Sequence, residues 1–405
     1  MLDREKLLTA IDRACSWITD IAQIKEEGEE AECQKSFEMP LKSWKGAVRG
    51  EYTVSNKLWG MFCPVWHTGQ AAKALCMAYE LTGNQKWLDK AIFCGDFILN
   101  NQITDENSEE YGLIYAIEDG DNCANTSAIM ECLESMRWLY RVTKDEKYKK
   151  AYVNAADWIV RTVYEGDGHF TNLYNVVEHE VVSEIDRRFV PPIGYFSRSE
   201  RPLADDSVML HAYEFSGDEK YRKVFYETVD YLKANEVPSG TWNNYSPSKG
   251  MKGISHPRQS FWWGHPMYYA YKDTHDIAYF DSLFRCGEWY LKAMRTDGGF
   301  FRTTNTLFKT PGFELCTSGS ACAAIVWMKL YELDHSPRWM EAVEKALQFN
   351  MKVQFYNTVD PNLEGAILER TVPIANGSDA SPYQLRDLAS IFFVQAACDY
   401  LGVKG

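Results

Sequence analysis

The sequence predicts an all-α protein: an (α/α)6 toroid of six helical hairpins arranged as an inner and an outer ring. Three observations carry that prediction. A short polar turn between two helical patterns recurs at Gly83, Asp145, Gly217, His275 and His335, at intervals of about 60 residues. The helix before each turn is apolar on most faces, and the helix after it is amphipathic. Long connections run from each amphipathic helix to the next apolar one, so they gather on one face.

The expected helices are 3–22, 67–81, 86–101, 122–142, 146–164, 204–216, 219–234, 259–273, 277–295, 317–333, 337–352 and 383–401. Segment 67–81 is small-residue rich around Gly69-Gln70-Ala71-Ala72 and carries no charged face. A helix that is apolar all round is buried. Segment 86–101 begins Lys86-Trp87-Leu88-Asp89-Lys90, with a polar face for solvent. The same alternation repeats through Ser318-Gly319-Ser320-Ala321 on an inner helix and 337–352 on its outer partner. A solenoid of helical pairs would show the same repeat. The last segment, 383–401, is apolar rather than a polar cap. It therefore pairs with 3–22 across the chain ends and closes the ring, giving one domain over 1–405.

Composition narrows the partners. The net charge of −14 gives no global field for nucleic acid or an anionic membrane. No apolar run approaches the roughly 18 residues of a membrane span. Met1-Leu2-Asp3-Arg4-Glu5-Lys6 is too charged for a signal peptide. The 11 cysteines contain no CxxC pair. They read as reduced, buried thiols of a cytoplasmic protein, without a disulfide framework or a metal site. No cofactor is expected. Aromatics are abundant, at 13 Trp, 24 Tyr and 20 Phe.

In a toroid the inner helices begin at the long-loop face, and their N-termini present free N–H groups and partial positive charge to the central cavity. Anions are favoured there. Asp205 and Asp206 start one such helix. Either reads as an N-cap or as a buried general acid/base whose pKa a like-charged neighbour raises. Asp121 carries the same two readings. His67 and His265 follow Trp66 and Trp262-Trp263 at two other entries, as structural hydrogen-bonders or as site groups. Trp66, Trp242, Trp262 and Trp263 are the rings expected to form a sugar platform, while Trp87, Trp138, Trp158 and Trp339 fill the core. Arg370 and Arg386 suit bidentate carboxylate binding or pair with Glu369 and Asp387. Glu314 and Tyr383 complete the decorated entries. No phosphate loop, dinucleotide fingerprint, nucleophile elbow or zinc-protease motif is present.

Ala204-Asp205-Asp206-Ser207-Val208-Met209-Leu210 with Gly217-Asp218-Glu219-Lys220-Tyr221 resembles the catalytic-Asp helix of the unsaturated glucuronyl and rhamnogalacturonyl hydrolases, glycoside hydrolase families 88 and 105. Glu314-Leu315-Cys316-Thr317-Ser318-Gly319-Ser320-Ala321 is similar to their late helix entry. Pro64-Val65-Trp66-His67-Thr68-Gly69-Gln70 and Leu385-Arg386-Asp387-Leu388-Ala389-Ser390 look like the family 154 β-glucuronidases. These resemblances imply an (α/α)6 barrel that removes a terminal uronic acid, saturated or 4,5-unsaturated, from an acidic oligosaccharide. They imply Asp205 or Asp206 as proton donor and Asp121 as the second carboxylate. A uronate epimerase or polysaccharide lyase on the same toroid would instead use His67, His265 or Tyr383 as base. A non-catalytic helical scaffold would need no convergent carboxylates.

Overall fold

Five turns with one chemistry set the architecture. In each, the inner helix ends on a residue in the left-handed region, Gly83, Lys144, Gly217, His275 or His335, with φ between 55° and 73°. Its N–H donates to the carbonyl of a tyrosine four residues back: Tyr79, Tyr140, Tyr213, Tyr271 or Tyr331. This closes the orphan carbonyls of a helix C-terminus. The hydroxyls of Thr82, Thr143, Ser216 and Thr274 then accept from the N–H of Asn84, Asp145, Asp218 and Asp276. Those four residues cap the outer helices, satisfying free N–H groups at each start. The repeat seen in the sequence is therefore a repeated capping motif.

The structure, a computed structural model, describes residues 2–118, 120–182, 202–245, 253–310, 314–371 and 383–404. It confirms the all-α (α/α)6 class. The helices are α1 Arg4–Ser16, continued by a π-turn to Ala22, α2 Pro64–Thr82, α3 Gln85–Asn100, α4 Thr126–Thr143, α5 Glu146–Thr162, α6 Val208–Ser216, α7 Glu219–Ala234, α8 Gln259–Thr274, α9 Ile277–Ala293, α10 Thr317–Asp334, α11 Pro337–Lys352 and α12 Leu388–Lys404. The even-numbered helices form the inner ring. α2 packs on α4, and α4 on α6 and on the 205–207 turn before it; that turn packs on α8. From α8 contact passes to α10, then to α12, and α12 returns to α2, closing the ring. Helix α1 lies on α12 as its outer partner. The α2–α4 crossing is close because Gly69 has no side chain: a Cβ there would lie 2.5 Å from the Cα of Cys132.

Short strands, which the helical pattern did not reveal, edge the long-loop face. The largest sheet orders strands Gln34–Lys35, Leu58–Met61, Gly50–Thr53, Tyr383–Arg386 and Arg370–Thr371. Two expected helix starts are corrected by strands. Residues 383–386 pair antiparallel with Gly50–Thr53, so α12 begins at Leu388. Residues 123–125 pair with Leu173–Asn175, so α4 begins at Thr126.

Helix length positions the site. α6 has 9 residues where α2, α4 and α10 have 18 or 19. All end in the same kind of turn on one face. At 1.5 Å per residue, α6 therefore starts roughly 10–14 Å deeper in the barrel than α8, with 16 residues, and α4, the inner helices beside it. The turn Asp205–Ser207 stands inside the lumen, not at its rim.

Candidate active site

At the barrel floor, Asp206 and Ser207 both adopt positive φ, 49° and 57°, a strained choice for side chains other than glycine. Both aspartates are buried, Asp205 at 1% exposure. Asp206 accepts from Gln70 Nε2 at 2.9 Å and from Lys73 Nζ at 3.0 Å. Gln395 in turn donates to Gln70 Oε1. Burial works against the Lys73 ammonium, but Asp206 and Glu134 outweigh it and raise its pKa. Glu134 receives Arg137 through both oxygens, at 2.8 Å each, and lies 3.1 Å from His211 Nδ1. Its burial is overcome by Arg137 and His211, which hold the carboxyl well below its usual range.

The rim above is cationic. Strand pairing sets Arg386 opposite Glu51, and the Arg386 Nε donates to Glu51 Oε1 at 2.6 Å. Arg370 lies on the next strand. Arg258 and Arg302 reach the same region from the connections before α8 and α10. Burial lowers the Arg302 pKa, and the charges of Arg386, Arg258 and Arg370 add to that. Arg370 is lowered likewise, by burial and by Arg386. The neighbouring carboxylates are Glu51, Glu314 and Glu369. Glu314 is 3.6 Å from Arg302. Glu369 accepts the N–H and hydroxyl of Ser318 at 2.9 and 2.8 Å, capping α10.

Two histidines frame this rim. His256 stacks on Trp262, centroids 6.2 Å apart, and burial together with Arg258, Arg302 and Arg386 drives its pKa well down. Its Nδ1 accepts from the Arg258 N–H at 3.2 Å. The proton of the neutral ring is therefore on Nε2, which has no partner among the described residues. His67 Nδ1 stands 2.5 Å from Asp387 Oδ1, and both side chains are wholly buried. Burial raises the Asp387 pKa against the opposing charges of His67 and Arg386. The His67 ring packs edge-on against Trp66 and Phe62.

Trp66, His67, Trp262, Glu314, Arg370 and Arg386 thus stand on the long-loop side, above Asp205 and Asp206. Five expectations are corrected. Asp121 is exposed, and its Oδ1 accepts from the Glu38 N–H at 2.8 Å; the strand at 123–125 separates it from α4, whose cap is Asn125. Trp242 and Trp263 are fully buried core rings, their indole N–H groups spent on Leu232 and Pro202 carbonyls. His265 is not at an entry: α8 starts at Gln259 as expected, which puts His265 about two turns into the helix, its ring stacked on Phe261. Tyr383 begins a strand rather than a helix, and its side chain lies outside the described residues. Trp138, expected in the core, is half-buried. Arg258, Arg302, His256, Glu51, Glu369 and Asp387 were not singled out as site groups. The signal for two of them was present: His256-Pro257-Arg258 immediately precedes the Trp262-Trp263 entry. Among the described residues, no cluster of three or more His, Cys, Asp or Glu is set to hold a metal.

No protein-family model and no curated protein matches this chain. Solved structures are. The unsaturated glucuronyl hydrolase from Bacillus sp. GL1, responsible for the degradation of glycosaminoglycan, superposes with a TM-score of 0.65 at 16% identity, over 96% of each chain. Cellobiose 2-epimerase from Bacillus thermoamylovorans matches with a TM-score of 0.64 at 12% identity, over 98% of this chain and 99% of that one. A possible family 105 glycoside hydrolase from Salmonella enterica serovar Paratyphi A matches with a TM-score of 0.61 at 13% identity, over 100% and 96%. The likeness is one of fold: this chain shares the toroid of sugar hydrolases and epimerases.

Proposed function

We propose that the chain is a glycoside hydrolase that removes a terminal uronic acid, saturated or 4,5-unsaturated, from a short acidic oligosaccharide, with residues 1–405 as one catalytic unit. The observation that carries this reading is the rim cluster. Four guanidiniums share it with three carboxylates, and Arg258 Nε and Nη1 and Arg302 Nη1 have no acceptor among the described residues. Buried donors without acceptors are costly, and a ligand carboxylate satisfies them with charge-assisted bonds. The sugar ring then rests near Trp262 and Trp66, with its reacting end toward the floor.

Asp205 is the proton donor in this reading. Asp206, which accepts from Lys73 and Gln70, positions the turn. On an ordinary glucuronide, Asp205 protonates the leaving oxygen while a second carboxylate or water completes the displacement. On an unsaturated substrate it protonates C4 and water adds at C5; the resulting hemiketal opens to the 5-ketone, and the C1 hemiacetal left behind collapses to an aldehyde with release of the aglycone alcohol. The eleven cysteines, none in a disulfide and ten of them buried, are in keeping with a reducing, cytoplasmic setting.

The test is an assay of wild type, Asp205→Asn and Arg302→Gln on aryl glucuronides and on lyase-generated unsaturated disaccharides. Asp205→Asn is expected to lose kcat by a factor of about 10² or more. Arg302→Gln is expected to raise KM by roughly tenfold or more, since a hydrogen bond to charge contributes about 1.5–3 kcal/mol. Full activity in Asp205→Asn would remove the donor assignment. A second reading rests on His256, a neutral imidazole with an open Nε2. With His67, it would serve an epimerase as the acid–base pair. Turnover of reducing disaccharides to C2 epimers, abolished by His256→Asn and untouched by Asp205→Asn, would establish that instead.

A further inference from the structure

The barrel has a chamber on its turn side. A cavity of about 470 Å³ lies in the half of the lumen toward the short turns, walled by the C-terminal parts of α2, α4, α10 and α12 and by α8. That volume is within the roughly 300–1,000 Å³ of small-molecule sites. Lys73 lines it, and the Lys73–Asp206 pair separates it from the floor of the loop-side site.

The charges here are arranged differently from those at the rim. Each of the four cations lining the cavity already has a carboxylate. Lys73 holds Asp206, Arg137 holds Glu134, Arg141 holds Glu80 and Lys329 holds Glu332, all between 2.8 and 3.0 Å. An anionic ligand would find no surplus cation. What is left open includes a neutral imidazole. Both ring nitrogens of His265, a residue 5% exposed, have no partner among the described residues. Burial, with Lys73 and Lys329 nearby, keeps that ring uncharged, so it offers one donor and one acceptor. Burial also keeps Tyr269 a phenol and raises Asp399 against the charges of Lys329 and Lys73. Trp138 and Phe261 add aromatic faces to the same wall. Paired donors and acceptors beside aromatic rings match hydroxyl groups on a ring with C–H faces.

We propose that this turn-side chamber binds an uncharged sugar of one or two residues, with His265 and Asp399 bonding its hydroxyls and Trp138 lying against its ring. The site is independent of the uronic acid reading, which concerns the opposite end of the barrel. Because Lys73 is shared through Asp206, occupancy here also bears on the loop-side floor.

Titration calorimetry and ligand-observed NMR test it, with D-glucose, D-galactose, maltose and cellobiose as probes. At least one is expected to bind saturably to wild type. The affinity is expected to fall tenfold or more in His265→Ala and in Ile325→Phe, which fills the chamber, and to persist in Arg302→Gln. Thermal melts of both chamber variants confirm folding, and Trp138→Phe, a milder change, is expected to weaken binding if either fails to fold. Absence of saturable binding by all four sugars overturns the proposal. So does binding that is lost in Arg302→Gln while it survives in the chamber variants, since the sugar would then occupy the loop-side site.

Discussion

Glu134 shows how single charges hold the lumen together. It is 1% exposed and joins Arg137, His211 and Lys73, from three helices' worth of inner wall. Replacing it by Gln leaves Arg137 facing a neutral amide in a buried setting. A buried pair broken on one side costs roughly 3 kcal/mol, so Glu134→Gln is expected to lower the unfolding free energy by about that much at neutral pH. The dependence on pH follows from the direction of the shift. The native carboxyl titrates well below its usual 4.5, so its stabilisation is complete above about pH 4.5 and is lost as the pH falls through the native value. Denaturant melts of wild type and Glu134→Gln should therefore differ at neutral pH and converge as the pH falls below about 4.5. A gap that stays undiminished in strong acid would mean that the carboxyl is not held as an anion. The same residue-scale logic applies to Asp206, whose surroundings pair it with Lys73 and Gln70.

Individual helices were legible where their chemistry is local. The five inner-to-outer turns read directly from sequence because each is a capping motif confined to about six residues, as in Tyr140-Arg141-Val142-Thr143-Lys144-Asp145. Starts of helices on the long-loop face were legible less well. Residues 123–125 and 383–386 form strands whose partners lie about 50 and 330 residues away, and periodicity carries no information about a partner so distant. The same nonlocality hid the cationic rim. Arg370 and Arg386 could be suspected from residue type, but Arg258 and Arg302 join them only through the closing of the ring. Asp121 was misplaced for the related reason that its helix starts four residues later than the pattern suggests. The turn motif also yields a stability prediction. Lys144 holds φ at 60°, where Gly83 and Gly217 do the same job without a Cβ. A left-handed conformation costs an L-residue about 1–2 kcal/mol. Glycine relieves that but adds freedom to the unfolded chain. Lys144→Gly is thus expected to stabilise by about 0.5–1 kcal/mol, read as a higher denaturation midpoint with unchanged slope. A lower midpoint would mean that the Lys144 side chain, poised over the Tyr140 ring, contributes more than the strain.

At the scale of the whole molecule, the net charge of −14 and the cationic rim act on different lengths. The field of the whole chain repels an approaching anion over the Debye length, about 30 Å at 0.01 M salt and 8 Å at 0.15 M. The rim acts at contact, where burial shields it from added ions. A substrate with one carboxylate meets modest repulsion and then the full local attraction. A polyanion meets repulsion along its whole length while only its terminal residue reaches the guanidiniums. Raising salt from 0.01 to 0.15 M is therefore expected to increase kcat/KM several-fold for an oligosaccharide bearing many carboxylates or sulfates. For a single-uronate aryl glycoside it should change less than twofold. Initial rates at substrate concentrations far below KM measure the ratio directly. The opposite order, with the polyanion slowed by salt, would mean that an extended cationic groove rather than a compact rim recognises the substrate. Arg302→Gln sharpens the comparison, because removing a contact charge should leave the salt slope of the polyanion nearly unchanged while weakening both substrates alike. Long-range repulsion with short-range capture selects for chain ends and short products, and that selectivity is a property of the whole molecule's charge rather than of any one side chain.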